Sequence, residues 1–154
     1  MSLLHVSIGA ARPERVADIL AQILGGPALP FPPCPGAYIA FTAADDGTAV
    51  EIYPATARVA QGRRTIEFAT APTPAAAGPV HVALSSPLPA DQICGIGARA
   101  GWTARICSRG PFSCVELWVE NATLIEVLDP EMLKDYRSGM TAASWRAMFG
   151  LGEE

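Results

Sequence analysis

The sequence predicts an α+β fold built from two copies of one unit, and three observations support this prediction. The two halves begin alike, with LLHVSIGA at residues 3–10 and PVHVALSS at residues 79–86. Each of these strand-like runs precedes a segment with apolar residues at helical spacing, a proline near its start and a glycine at its end. Each half then closes with an apolar run that has one glutamate at its centre, AVEIYP and LIEVLDP. The unit is therefore a strand and a helix followed by two or three strands.

The length and composition predict one folded domain. The chain has 154 residues, of which half are apolar and 17% are charged, and this is enough to build a hydrophobic core. We predict a single domain over residues 1–154. Within it, module 1 spans about 1–56, a linker about 57–78, module 2 about 79–130 and a helical tail 131–154.

The elements of module 1 can be read in order. LLHVSIGA predicts a strand, and RPERVADILAQILGG predicts a helix that ends at the glycine pair. The second strand would fall within ALPFPPCPG, where the prolines restrict it to a sheet edge. DDGT predicts a tight turn between the strands GAYIAFT and AVEIYP.

Module 2 repeats the same order. PVHVALSS predicts a strand, PLPADQICGIGARAGW a helix, and TARICS the next strand. In GPFSCVELWVENATLIEVLDP, two strands flank the polar turn ENAT. Between the modules, RTIEFAT could form an added edge strand. After residue 130, EMLKDYRS and TAASWRAMF predict short helices.

The histidines and the closing glutamates occupy equivalent positions of the repeat. Glu51 follows His5 by 46 residues, and Glu126 follows His81 by 45. Because strand side chains alternate between two faces, each histidine and each of these glutamates should lie opposite the apolar side chains that pack under the helix. The four residues should therefore line the open faces of the two sheets.

Two imidazoles and two carboxylates on such faces form a candidate site for a divalent metal ion. A single strand histidine is more often a structural residue, and a single strand glutamate usually points to solvent. The repetition of the pair favours the metal site, because a carboxylate in mid-strand is costly to bury unless it is paired or binds a cation.

Charge and sequence patterns exclude several other classes. The formal charge of −4 predicts no nucleic-acid partner, and no apolar run is long enough to cross a bilayer. The N-terminus has no signal-peptide pattern, and the four cysteines show no CxxC spacing. We expect a cytoplasmic protein with reduced thiols and no membrane partner.

The two halves, HVSIGA…GTAVEIYP and HVALSS…ATLIEVLDP, resemble the vicinal oxygen chelate superfamily of glyoxalases, bleomycin-resistance proteins and dioxygenases. The resemblance covers about residues 3–130. It implies paired βαβββ modules whose mixed sheets curl around a central cleft. It also implies metal ligands from the first and last strand of each module, which correspond here to His5, Glu51, His81 and Glu126.

The resemblance also implies an activity. A set of two histidines and two glutamates is most similar to that of glyoxalase I, where the metal is nickel or zinc. The dioxygenases use two histidines and one glutamate at iron or manganese. We therefore expect a metal-dependent isomerase or lyase that binds a small substrate through neighbouring oxygens, with Glu51 or Glu126 as the general base.

Two alternatives stay open. One is a non-catalytic protein of the bleomycin-resistance type that binds a drug or antibiotic, and the other is an extradiol-type dioxygenase. The resemblance further implies a homodimer, in which the modules either close on each other within one chain or exchange between subunits.

Overall fold

The computed structural model describes residues 4–44, 46–61, 66–74 and 81–150. It confirms the α+β fold with two modules of the same construction. The elements of module 1 are β1 (His5–Ala10), α1 (Pro13–Leu24), β2 (Gly25–Pro30), β3 (Tyr38–Thr42) and β4 (Ala49–Pro54). Those of module 2 are β7 (Val82–Ser85), α2 (Ala90–Ala100), β8 (Thr103–Ser108), β9 (Ser113–Val119) and β10 (Thr123–Leu128). Between and after them lie β5 (Ala57–Gln61), β6 (Ile66–Thr70), α3 (Pro130–Gly139) and α4 (Ala142–Phe149).

Each module forms its own mixed sheet of four strands. The strand orders are β1-β4-β3-β2 and β7-β10-β9-β8, which are the same arrangement of equivalent strands. In both sheets the first strand pairs in parallel with the closing strand, and the remaining pairs are antiparallel. The closing strand therefore lies in the interior of each sheet, beside the first strand of its module. That first strand begins with His5 in module 1, and in module 2 it begins one residue after His81.

The ends of α1 follow from the sequence. Pro13 occupies the first turn, where a missing N–H costs nothing, and seven apolar residues of the helix are buried in the core. Gly25 ends the helix with a φ of 79°, a left-handed conformation that glycine adopts without a Cβ clash. β2 starts at this same glycine, three residues before the predicted segment ALPFPPCPG, and ends at Pro30. It pairs with β3 alone at the sheet edge, the place to which the prolines restricted it.

The two modules share one hydrophobic core. Buried side chains from α1 and α2 meet those of both sheets. Arg15 Nη2 donates to Ala100 O at 3.0 Å, and the buried Ser86 hydroxyl donates to Ile23 O, so polar bonds also join the modules. The largest fully buried side chains of this core include Leu20, Ile23, Ile52, Ile93, Leu117 and Ile125.

A turn of module 2 holds the start of α1. ENAT forms the tight turn expected between β9 and β10, with φ of 51° at Glu120 and 55° at Asn121. Glu120 accepts hydrogen bonds from the backbone N–H groups of Ala11 and Arg12, at 2.6 and 3.0 Å. A carboxylate at a helix start satisfies free amides and complements the helix dipole. This contact fixes module 1 against module 2.

The segment after each module covers part of its open sheet face. In the predicted linker, β5 and β6 form a separate hairpin, so RTIEFAT contributes a strand that is not an edge of the module sheets. Phe68 of this hairpin packs edge-on against Tyr53, with ring centroids 5.3 Å apart. In module 2, Met132, Leu133 and Tyr136 of α3 pack on a small cluster of Phe112, Cys114 and Leu128.

The tail helices form where the sequence predicted them, but α4 is exposed. Trp145, Met148 and Phe149 are 44%, 46% and 56% exposed, and none of them lies in the core. Among the described residues, no helix is long and apolar enough to cross a membrane. All four cysteines are free thiols, as expected.

Candidate active site

The histidine of module 1 occupies a position equivalent to that of the histidine of module 2, and the same holds for the two closing glutamates. In module 1, β1 and β4 pair with Ser7 beside Glu51, and in module 2, β7 and β10 pair with Ala83 beside Glu126. His5 precedes Ser7 by two residues, and His81 precedes Ala83 by two. The near-identical spacing in the sequence thus reflects one register shared by the two sheets.

The predicted alternation of faces is also confirmed. Val50 and Ile52 are 1% and 0% exposed on the core side of β4, and Ile125 and Val127 are 0% and 1% exposed on the core side of β10. His5 and His81 are exposed. Because the helices and the shared core lie on the other side, the open faces of both sheets point away from the contact between the modules.

Glu51 is bound by hydroxyl groups. Ser7 Oγ donates to Glu51 Oε2 at 2.9 Å, and the Tyr53 hydroxyl donates a short hydrogen bond to the same oxygen. Burial raises the pKa of Tyr53 above 10.0, and the hydrogen bond to Glu51 raises it further, so the phenol stays protonated as a donor at neutral pH. No described residue donates to the second oxygen, Oε1, of this half-buried carboxylate.

Glu126 is bound by a guanidinium group. Arg109, in the loop between β8 and β9, donates from Nε to Glu126 Oε1 at 2.7 Å and from Nη2 to Glu116 Oε1 at 2.7 Å. Arg105 donates from Nε to Glu116 Oε2 at 2.8 Å. The side chains of Glu116 and Glu126 are only 10% and 9% exposed. Two carboxylates and two guanidinium groups therefore form a continuous ion network on the open face of module 2.

The pKa shifts follow from this network. Hydrogen bonds from Arg109 and then Arg105 lower the pKa of Glu116 to about 2, so this carboxylate stays ionised. The pKa of the Arg109 guanidinium is raised by its bonds to Glu116 and Glu126. Burial raises the pKa of the neighbouring Cys114 thiol to about 11, which keeps it neutral and a poor metal ligand at neutral pH.

Sequence patterns did not single out Glu116 or Arg109. The one available signal was Glu116 itself, a charged residue at the centre of the apolar strand SCVELWV. A buried carboxylate requires a cationic or hydrogen-bonding partner, so its position called for a nearby arginine. Arg105 lies at the paired strand position and is one such partner, but Arg109 could not be identified, because it reaches Glu116 from a loop.

The two halves differ in how well they fit a divalent cation. His5 and Glu51 supply an exposed imidazole and a carboxylate with a free oxygen, and this pair fits. Glu126 fits less well, because the Arg109 guanidinium donates to its Oε1 and would place a positive charge beside the bound cation. Within the described part of the chain, no three side chains of the ligand-forming types come together as a metal-binding group. The described residues of the single chain therefore do not bring the predicted ligands together as one set.

Comparisons with known proteins support the fold. No protein-family profile matches the chain, and no curated protein matches it in sequence. Among solved structures, the trypanothione-dependent glyoxalase I of Leishmania major superposes with a TM-score of 0.53 at 10% identity, over 99% of each chain. The oxidase ChaP-H1 superposes with a TM-score of 0.51 at 18% identity, over 84% of this chain and 95% of the oxidase. The likeness shows the fold alone: the chain has the two-module fold of this glyoxalase I.

Proposed function

We propose that the chain is a metal-dependent enzyme of the glyoxalase type, an isomerase or lyase that binds a small substrate through neighbouring oxygens. The observation that carries the proposal is the environment of Glu51. Its carboxylate lies in mid-strand on an open sheet face, with two hydroxyl donors on one oxygen and, among the residues that the structure describes, no donor on the other. Such a group is available to bind a cation or to accept a proton.

Glu51 is the general base in this proposal. Ser7 and Tyr53 hold Oε2 and thereby orient the carboxylate, which leaves Oε1 as the oxygen that would bind the metal and, once the substrate has displaced it, would accept the proton. Glu126 is the weaker candidate for the base, because the Arg109 guanidinium neutralises its charge and donates a hydrogen bond to its Oε1. A proton taken from a carbon next to a carbonyl would be returned by the same carboxylate to the neighbouring carbon in an isomerisation.

The metal would be held by His5 and Glu51 of one copy and by His81 of a second copy. For an isomerase or lyase, we propose nickel or zinc. When bound, a divalent cation polarises the substrate oxygens as a Lewis acid. We propose a homodimer because the open faces of both modules point away from the shared core of one chain. The contact of Glu120 with the start of α1 holds the modules in this arrangement.

Metal analysis tests this function. Protein purified without chelators should contain about one divalent ion per chain, and His5→Ala and Glu51→Gln should each weaken its binding by about tenfold or more. Glu67→Gln is the matched control, because Glu67 is an exposed glutamate on the β5–β6 hairpin. If neither His5→Ala nor Glu51→Gln lowers the bound metal, the proposed site is wrong. Ligand-induced thermal shifts that are the same with and without a chelator would instead favour the non-catalytic binding protein.

One observation favours a second candidate, an extradiol-type dioxygenase. With Glu126 held by Arg109, the remaining set is two histidines and one glutamate, which is typical of non-haem iron oxygenases. Oxygen consumption with catechol and Fe(II) would support this candidate. Its absence in iron-loaded protein would favour the isomerase or lyase.

A further inference from the structure

The environment of Glu126 differs from that of Glu51 in its neighbours across the sheet. Glu126 pairs with Glu116 on β9, whereas Glu51 pairs with Ile39 at the equivalent position of β3. Glu116 in turn pairs with Arg105, where module 1 has Leu29 beside Ile39. Module 2 thus has a second carboxylate and an arginine where module 1 has apolar side chains.

The loop before β9 completes the difference. In module 2 this loop carries Arg109, which bridges both carboxylates and is 30% exposed. In module 1 the equivalent loop, PPCPG at residues 32–36, contains no basic residue. Module 2 therefore has the guanidinium cation of Arg109 beside its closing glutamate, and the equivalent loop of module 1 has no residue that could supply one.

The charge balance of the ion network determines whether it can attract a divalent cation. Glu116 and Glu126 are neutralised by Arg105 and Arg109, so the network has no net negative charge to attract a dication. A divalent ion beside Glu126 would also lie next to the Arg109 guanidinium, and like charges at contact distance repel strongly where water is excluded. Arginine cannot relieve the repulsion by losing its proton at neutral pH.

We propose that Arg109 takes the place of a metal ion in module 2 and keeps Glu126 out of the coordination sphere. This inference rests on the proposed function, and it limits the protein ligands of the metal to His5, Glu51 and the His81 of a second copy. Glu126 is then a structural partner of Arg109. Replacing Arg109 by a neutral residue should release Glu126 as a fourth ligand.

Calorimetric titration of the purified full chain with Ni²⁺ tests the inference. Glu126→Gln should leave the affinity unchanged, whereas Glu51→Gln should lower it. Arg109→Gln should raise the affinity about tenfold or more by adding a ligand. The double variant Arg109→Gln/Glu126→Gln should return it to that of the wild type. Arg105→Gln is the matched control: it removes the same charge from the network but leaves Arg109 on Glu126, so it should raise the affinity for Ni²⁺ much less than Arg109→Gln does.

The outcomes separate this inference from the proposed function. If Glu126→Gln weakens binding as much as Glu51→Gln does, Glu126 is a ligand and the inference is overturned while the metal site stands. If the wild type binds no Ni²⁺ but Arg109→Gln does, the inference holds and the proposed function fails. If Arg109→Gln folds, as judged by circular dichroism, and its affinity is unchanged, the inference is wrong. Should that variant not fold, the comparison of Glu126→Gln with Glu51→Gln decides alone.

Discussion

Glu116 lies between the guanidinium groups of Arg109 and Arg105, which lower its pKa from the usual 4.5 to about 2. A carboxylate whose pKa is lowered in the folded state stabilises the fold fully above pH 4.5, and this stabilisation is lost as the pH falls towards 2. We expect a loss of about 1–2 kcal/mol over this range, since the Arg105 side of the network is open to solvent. The Glu116→Gln variant should have a lower free energy of unfolding than the wild type at pH 7, and this free energy should fall less on acidification than that of the wild type.

Urea unfolding at pH 7, 4.5 and 3 measures this effect. Glu67→Gln is the control, because Glu67 is exposed and its substitution should leave the pH profile unchanged. If Glu116→Gln lost as much stability between pH 4.5 and 3 as the wild type, the ion network would not be the source of the acid sensitivity.

For single residues, the sequence predicted the sheet face on which a side chain lies better than it predicted the hydrogen-bond partners of that side chain. The side of the strand on which His5, Glu51 and Glu126 lie follows from alternation, and the equivalence of the modules follows from the repeat. The binding of Glu126 by Arg109 could not be predicted, because a flexible loop side chain can reach several positions and periodicity carries no information about it. Strand alternation also places Ser7 and Tyr53 on the face of Glu51, but their common acceptor oxygen depends on side-chain rotamers.

The packing of α2 on its sheet gives a prediction at the scale of elements. A Cβ at Gly97 would lie 2.7 Å from Ala104 Cβ and 2.9 Å from Leu117 Cδ1, whereas a Cβ at Gly95 would meet only the flexible end of Arg99, at 3.2 Å. Gly95→Ala should therefore stabilise the protein by about 0.5–1 kcal/mol through helix propensity. Gly97→Ala should destabilise it by about 1–3 kcal/mol through overpacking. Urea unfolding of this pair is its own control, and equal stabilisation by both would show that α2 does not pack this closely.

The turn at Glu120 gives a second prediction. A non-glycine residue at a φ of 51° is strained, and here the side chain compensates by binding the two amides before α1. Glu120→Ala should cost about 1–2 kcal/mol in unfolding free energy and speed amide exchange at Ala11 and Arg12. Glu120→Gln keeps one acceptor oxygen and should lose less. If Glu120→Ala unfolds and exchanges like the wild type, this contact does not hold the modules together.

Most of the elements could be predicted, because helix periodicity, turn residues and the repeat agree at each of them. The differences arise where tertiary contacts decide. β5 has no distinct pattern of its own and forms because β6 pairs with it. The large apolar side chains of α4 do not join the core: Trp145 and Phe149 contact each other at a ring-centroid distance of 4.7 Å and remain exposed.

At the scale of the whole molecule, the direction of the open faces determines how a complete site can form. If His5 and Glu51 of one copy meet His81 of another, the chain should be a dimer of about twice 16.1 kDa by light scattering. Co-expression of His5→Ala chains with His81→Ala chains then has a specific outcome. Each mixed dimer contains one site without either histidine and one intact site, so metal binding should return to about a quarter of the wild-type level at equal expression. Each variant expressed alone should bind little metal and serves as the control. If the modules close within one chain, every site lacks one histidine and the mixture binds no more metal than either variant alone.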